Sequence, residues 1–479
     1  MLLRFLTLGT AGLLLTATGQ SAWANGSTYG SNLIAQADEI AIPETPEPDG
    51  ITAPDPQQTP DPVDEMIGAG LTQYQNQNLD GAKGIFEQAL AAARTNENLP
   101  QESFSLTMLS LVTVNQGDYA TAADYSQQAI TALENVDDPQ STVVALNVLA
   151  LSTQAQGNFP DAIVHSQEAL KLAESIEFEA GKLNALSVLA TSYRTVGQYP
   201  LALDAAQLAI PLAQSQRNGQ AFLSALNVAS SSLLGLGDYE TALLASQDAL
   251  SVATELDSQP DRALALSNLG LAQYRLADFD QAIETQTKAL ELAQEVDALD
   301  VQFTALYVLA LAHYDQEDFD TAIDFYQQRL DLSRQTNAVG AELQSLLGMS
   351  SAYLDNDKYE DAIASFETLL ALAEERDQPI FKSLSLAGLG FANVQLENYP
   401  VAQGHLEAAL TLAKELGDIE AEYGLLSLLA EVHQAQNDPQ KAQEYAAQAA
   451  ALEAEAAAEA AAANEATGET LDETPENPE

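Results

Sequence analysis

The side chains able to do chemistry are few, and their spacing argues against catalysis. Cysteine is absent, which removes disulfides, thiolate metal sites and thiol nucleophiles together. Four histidines, His165, His313, His405 and His433, lie far apart, and no two share the spacing that turns both rings from one helix face toward a zinc ion. Packing is the better account of them. The acidic turns Asp315-Gln316-Glu317-Asp318 and Asp355-Asn356-Asp357 lack the glycine and the closing glutamate of a calcium loop, and read as solvated helix ends. No glycine-rich phosphate loop leads into a lysine, and no serine stands between the glycines of a nucleophile elbow. Carboxylate pairs occur throughout so acidic a chain, but they fall on outward helix faces, where nothing tunes them for acid and base work. The expectation is a protein that is no enzyme, with no catalytic residue, no metal and no cofactor.

Charge narrows the partners. Seventeen Lys and Arg stand against seventy Asp and Glu, a formal charge of -53 that repels nucleic acid and anionic membrane surfaces. At the N-terminus, Arg4, an apolar run from Phe5 to Ala17 and the small-x-small site Ala22-Trp23-Ala24 have the pattern of a cleaved secretory signal over residues 1–24. A second cut at Ala35-Gln36-Ala37 fits less well and leads to the same export. The mature chain is then expected in the periplasm or another extracytoplasmic compartment, secretion included. The apolar run is too short to span a bilayer, so stable membrane insertion after cleavage is not expected. Residues 25–62 are rich in Pro and acidic residues, hold no base, and read as a disordered linker.

The elements that must position any functional residue come from a repeat. Ala82, Ala122, Ala162, Ala202, Ala242, Ala282, Ala322, Ala362, Ala402 and Ala442 are spaced by 40 residues without a gap. Three residues before each stands an aromatic or Leu, from Leu79 and Tyr119 to Tyr399, until Pro439 breaks the column. Leu106, Leu146, Leu186 and Leu226 begin a further column, followed three residues on by Leu109, Leu149, Leu189 and Ala229. Spacings of three and four mark helical faces. Each repeat therefore predicts two amphipathic helices joined by a turn such as Gly117-Asp118-Tyr119, where glycine ends the first helix and Pro160, Pro200 or Pro400 opens the second.

This pattern resembles the tetratricopeptide repeat family, whose small, aromatic and large apolar signature appears in the second repeat as Ser110, Tyr119, Ala122, Ala129 and Ile130. The resemblance covers residues 63–450 and implies an all-α fold, an α-solenoid (right-handed superhelix) of about ten helix-turn-helix repeats. Two features depart from the family. Leucine replaces the usual tryptophan, and Arg94, Glu134, Glu174 and Gln214 replace the closing proline. The common unit has about 34 residues, so longer helices are expected here, interrupted between repeats at Pro100, Pro139, Pro260 and Pro379. Residues 451–467 read as an Ala/Glu helical cap that argues against filament assembly, and 468–479 as a disordered acidic tail.

The resemblance also implies where a ligand lies. First helices of the family line a concave groove, and the corresponding places here hold Asn147, Asn184, Thr191, Arg194 and Asn227, a polar stretch suited to a peptide backbone. Farther along they hold Leu271, Tyr274, Arg275, Tyr307, Leu311, Tyr314 and Phe391, an aromatic and aliphatic stretch. The expected function is an exported scaffold that binds proteins or peptides through that groove. The alternative is an envelope assembly factor or chaperone that engages basic or partly folded clients through its acidic outer surface.

Overall fold

A computed structural model describes residues 61–134 and 136–467, and all its regular elements are α-helices, twenty of them. The expected leader, the linker as far as residue 60 and the tail from 468 lie outside the described residues. The chain falls into two compact parts that divide between Leu309 and Ala310. In the first are α1 (Pro62–Gln75), α2 (Leu79–Thr95), α3 (Leu99–Asn115), α4 (Tyr119–Leu133), α5 (Pro139–Ala155), α6 (Phe159–Ser175), α7 (Glu179–Thr195) and α8 (Tyr199–Ser215). It continues with α9 (Gly219–Leu236), α10 (Tyr239–Glu255), α11 (Gln259–Arg275), α12 (Phe279–Glu295) and most of α13 (Leu299–Asp315). The second part takes the end of α13, then α14 (Phe319–Thr336), α15 (Val339–Asp355), α16 (Tyr359–Glu375), α17 (Pro379–Gln395), α18 (Tyr399–Leu416), α19 (Ile419–Ala435) and α20 (Pro439–Thr467).

One turn closes nearly all of these helices. After α2 the Glu97 amide donates to the Arg94 carbonyl at 3.2 Å and the Asn98 amide to Ala93 at 3.0 Å, which satisfies two orphan carbonyls in a Schellman motif. Asn98 is at once the N-cap of α3, its Oδ1 accepting from the Gln101 amide at 3.2 Å. Three residues thus end one helix and begin the next. The left-handed residue at their centre recurs every twenty positions, from Gln77 to Asn437, with φ between 51° and 81°; position 137 alone among the described residues departs from the series. The backbone period is therefore half the sequence period. Turns inside a repeat and turns between repeats have the same geometry, which the sequence reading treated as different.

The prolines fit this frame. Pro100, Pro139, Pro260 and Pro379 do not interrupt helices; they sit in the first two positions of α3, α5, α11 and α17, where an amide has no helical partner to lose. Pro160, Pro200 and Pro400 follow the aromatic that opens α6, α8 and α18, so they take the second helical place and not the first.

Alternate helices differ in what surrounds them, and that difference doubles the sequence period. First helices are enclosed: in α5 every residue from Val143 to Ser152 is buried. Second helices bury one stripe, in α6 only Ala162, Ser166, Ala169 and Ala173. The alanine column that begins at Ala82 has no exposed surface as far as Ala402, because a larger side chain there would hold neighbouring helices apart. In several hairpins a small residue of the first helix faces position +16 of the second, as Gly70, Ser230, Gly270 and Gly390 do. A Cβ on Gly70 would lie 2.7 Å from the Phe86 ring, and where both partners are small, Ser230 and Ser246 share a hydrogen bond of 2.6 Å.

Arg329, like Leu369, breaks the second small column that Ala129, Ala169, Ala209 and Ala249 hold, yet it is 2% exposed. The following helix α15 accommodates it: Nη1 donates to the Ala341 carbonyl at 3.1 Å and to Ser345 Oγ at 3.0 Å, and Nη2 to Gln344 Oε1 at 2.9 Å.

Ala277 carries the left-handed turn with φ 61°, and its Cβ strains that conformation where glycine does not. Ala277→Gly is expected to raise the unfolding free energy by about 0.5–1 kcal/mol, net of glycine's greater freedom in the unfolded chain. Chemical denaturation checks this; an unchanged or lowered midpoint overturns it.

Candidate functional site

In the first compact part, successive first helices contact each other as well as the second helices between them, so a line of first-helix side chains is left on the inner face. On α7 that line is Asn184, Ser187, Thr191 and Arg194, all partly exposed and spaced three and four apart. Ser187 and Thr191 turn their hydroxyls back to the carbonyls of Leu183 and Ser187, at 3.0 and 3.1 Å. Asn184 and Arg194 make no side-chain hydrogen bond or ion pair with the described residues, in a chain that has only 17 cations for 70 carboxylates.

Asn227, on the next first helix α9, is 5% exposed, and neither its amide nitrogen nor its oxygen has a partner. A buried amide left unmet costs about 1–3 kcal/mol for each group. Asn147 is used internally: its Nδ2 donates to the Gly181 carbonyl at 3.1 Å, tying α5 to α7 and leaving Oδ1 unmet. On α11, Leu271, Tyr274 and Arg275 are partly exposed. The Arg275 guanidinium lies 5.2 Å from the centre of the Tyr239 ring, held by a cation–π contact to the preceding second helix. Tyr307 is 5% exposed and belongs to the core.

In the second part Leu311 and Phe391 are 8% and 9% exposed and are core side chains. Tyr314 is partly exposed and donates its hydroxyl to the carboxylate of Asp355. The twelve residues singled out from the sequence therefore do not form one row of equivalent contacts. Asn184, Thr191 and Arg194 share a partly exposed stripe, whereas Asn147, Asn227, Tyr307, Leu311 and Phe391 are packed inside.

Two buried amides belong to the same chemistry and escaped the sequence reading. Gln154, 2% exposed, donates to the Val188 carbonyl at 3.3 Å and to Ser192 Oγ at 3.0 Å, with Oε1 unmet. It stands forty residues before Arg194 in the same column, so the signal was present. Asn268, 8% exposed with Nδ2 unmet, lies outside the columns that the resemblance supplied.

Two of the four histidines pack on aromatic rings. His313 stacks on Phe325 with ring centres 5.5 Å apart and meets Asp318 Oδ2 at 3.2 Å; His433, 2% exposed, stacks on Tyr445 at 5.4 Å. Among the described residues no group of three or more His, Asp or Glu can hold a metal, and no helix is long and apolar enough to cross a membrane.

Burial pushes the Asp355 carboxyl above the usual range, and burial together with Asp355 pushes the Tyr314 phenol well above its own. The same two columns hold Tyr74 and Asn115 near the N-terminus of the array, where Asn115 Nδ2 donates to the Tyr74 hydroxyl at 3.0 Å. A neutral amide thus serves in the other pair. Asp355→Asn is expected to raise the thermal midpoint at pH 7 by removing a desolvated charge. A carboxyl whose folded value is raised gains stability as pH falls through that value, so the wild type closes the gap on acidification. A variant that melts below the wild type at pH 7 overturns this account.

Comparison with known proteins agrees with the geometry. Two tetratricopeptide repeat models match the sequence, one at residues 141–215 and 222–295, the other at 305–338 and 345–380. No curated protein sequence matches the chain. Among solved structures, the apo form of RapI is similar at 13% identity and a TM-score of 0.51, covering 75% of this chain and 99% of that one. The signal transduction ATPase with numerous domains and a tetratricopeptide repeat sensor from Pyrococcus horikoshii is similar at 14% identity and a TM-score of 0.52. That match covers 72% of this chain and 55% of the other. At such identities the likeness concerns the fold. Repeat spacing, hairpin packing and the matched models lead to one statement: this chain is a tetratricopeptide repeat protein.

Proposed function

We propose that the chain is an exported, non-catalytic scaffold that takes an extended segment of another protein along the inner face of its first helices. The observation that carries this reading is Asn184 on α7, partly exposed and with no side-chain hydrogen bond among the described residues. An amide can pair with both the N–H and the C=O of one ligand residue, and so holds an extended backbone with little regard to its sequence. Arg194, on the same helix and without a carboxylate partner, adds a place for a ligand carboxylate, and a charge-assisted bond there contributes about 1.5–3 kcal/mol. Leu271 and Tyr274, on α11, supply apolar contact. Export rests on the pattern of residues 1–24, and mass spectrometry of the mature protein from its native host tests it. A chain that begins after Ala24 or Ala37 supports export, and a chain retaining Met1 removes it.

Asn184 also makes the binding test discriminating. Because its side chain is partly exposed and makes no hydrogen bond among the described residues, Asn184→Ala is expected to leave the fold about as stable as before, while capture from an array of random peptides weakens about tenfold. Arg194→Ala is expected to lose the peptides that carry an acidic side chain or a free C-terminal carboxylate. Peptide capture unchanged in both variants removes the groove reading. Groove contacts, being desolvated, are expected to persist at high salt, where attraction to the acidic exterior collapses.

A further inference from the structure

The outer face of the first part carries a patch that the groove reading does not use. Val164, Leu201, Leu208 and Leu244 are 57%, 47%, 60% and 60% exposed, on the second helices α6, α8 and α10. Three columns of the repeat place them in an alternating pattern. Asp161, Leu201 and Thr241 form the first column, Val164, Asp204 and Leu244 the second, and Glu168, Leu208 and Asp248 the third. On α8, Asp204 stands three residues after Leu201 and four before Leu208, on one helix face, and its own column holds Val164 and Leu244 on the second helices before and after. All of these side chains are exposed, and Asp204 makes no hydrogen bond or ion pair with the described residues. The pattern is confined to these helices: the same columns hold Thr121, Asp124 and Gln128 on α4, and Gln281, Glu284 and Lys288 on α12.

Leu201 and Leu208 are two turns apart, roughly 10 Å along the axis of α8, which is the spacing of anchor residues on a partner helix. A scattered exposed leucine needs no explanation, but two on one helix face with a carboxylate between them do. Charge decides what covers them. The three helices hold seven carboxylates and one cation, Lys171. A second copy meeting this face would bring acid against acid. A partner with the opposite balance gains twice, from burial of the aliphatic groups and from a cation placed over Asp204 in a partly desolvated setting.

We propose that α6, α8 and α10 form a docking surface for a cationic amphipathic helix of another protein, with a central Arg or Lys on its apolar face that pairs with Asp204. This site stands independently of the inner face and does not use Asn184 or Arg194.

The test uses the full chain and a fluorescent peptide of about five helical turns, roughly 18 residues, with leucines on one face, one arginine at the centre of that face and lysines along its borders. A second peptide replaces the central arginine with glutamate. The wild type is expected to prefer the arginine peptide in anisotropy titrations. Leu201→Gln with Leu208→Gln is expected to weaken it about tenfold or more, and Asp204→Lys to reverse the preference between the two peptides. Asn184→Ala is expected to bind the arginine peptide as the wild type does, which separates this site from the groove. Equal binding by the wild type and the double Gln variant overturns the proposal, since only diffuse charge attraction would then remain. Failure of Asp204→Lys to shift the preference overturns it too. So does a wild type that sediments as a dimer without peptide and a double Gln variant that sediments as a monomer, which assigns the face to a second copy.

Discussion

Close approach of helix backbones is the constraint from which the remaining structure follows. Alanine at every fortieth position, with no surface left to solvent from Ala82 to Ala402, allows each hairpin to lie against the next at a distance that a leucine would forbid. Within each compact part that closeness encloses the first helices and sets the second helices outward, so first-helix side chains can be polar and buried while second-helix side chains can be acidic and wet. Stability comes from this packing. Ion pairs contribute little, because those among the described residues are few and most lie on the exposed surface, where such pairs are weak.

Much of this was legible in the residues. The alanine and aromatic columns gave the helical hairpin and its register, since only a repeated backbone keeps small and large residues in phase over ten repeats. The turn was legible where Gly, Asn or Asp occupies it, as at Gly117, Asn337 and Asp357. Elsewhere the left-handed residue is Glu97, Arg217 or Ala277, types that carry no signal for it, and the twenty-residue backbone period stayed hidden. The prolines misled for a related reason, because their tolerance at a helix start looks in sequence like interruption.

The functional face was legible in part. Column positions identified Asn227 and Arg194 as side chains on the inner helices, but a column does not tell whether an asparagine is free for a ligand or already engaged, as Asn147 is with Gly181. Nor does it separate a groove tyrosine from a core tyrosine: Tyr274 is partly exposed and Tyr307 buried, though both sit on first helices. Burial depends on what the adjoining helices bring. The outer patch escaped for the opposite reason, because its aliphatic residues break the polar rule for exposed positions on only three helices and look like noise until the columns are aligned.

The shared turn bears on how such a chain can change its length. Because every described junction except the one at position 137 has the same three-residue closure, recombination that removes forty residues between equivalent turns rejoins the backbone without a new kind of loop, and each remaining helix keeps its inner or outer place. An excision of twenty residues would close just as smoothly, yet it would exchange enclosed helices for outward ones in everything downstream of the cut. Tolerance of loss by whole pairs, and intolerance of loss by halves, is thus written into the backbone at each of these joints.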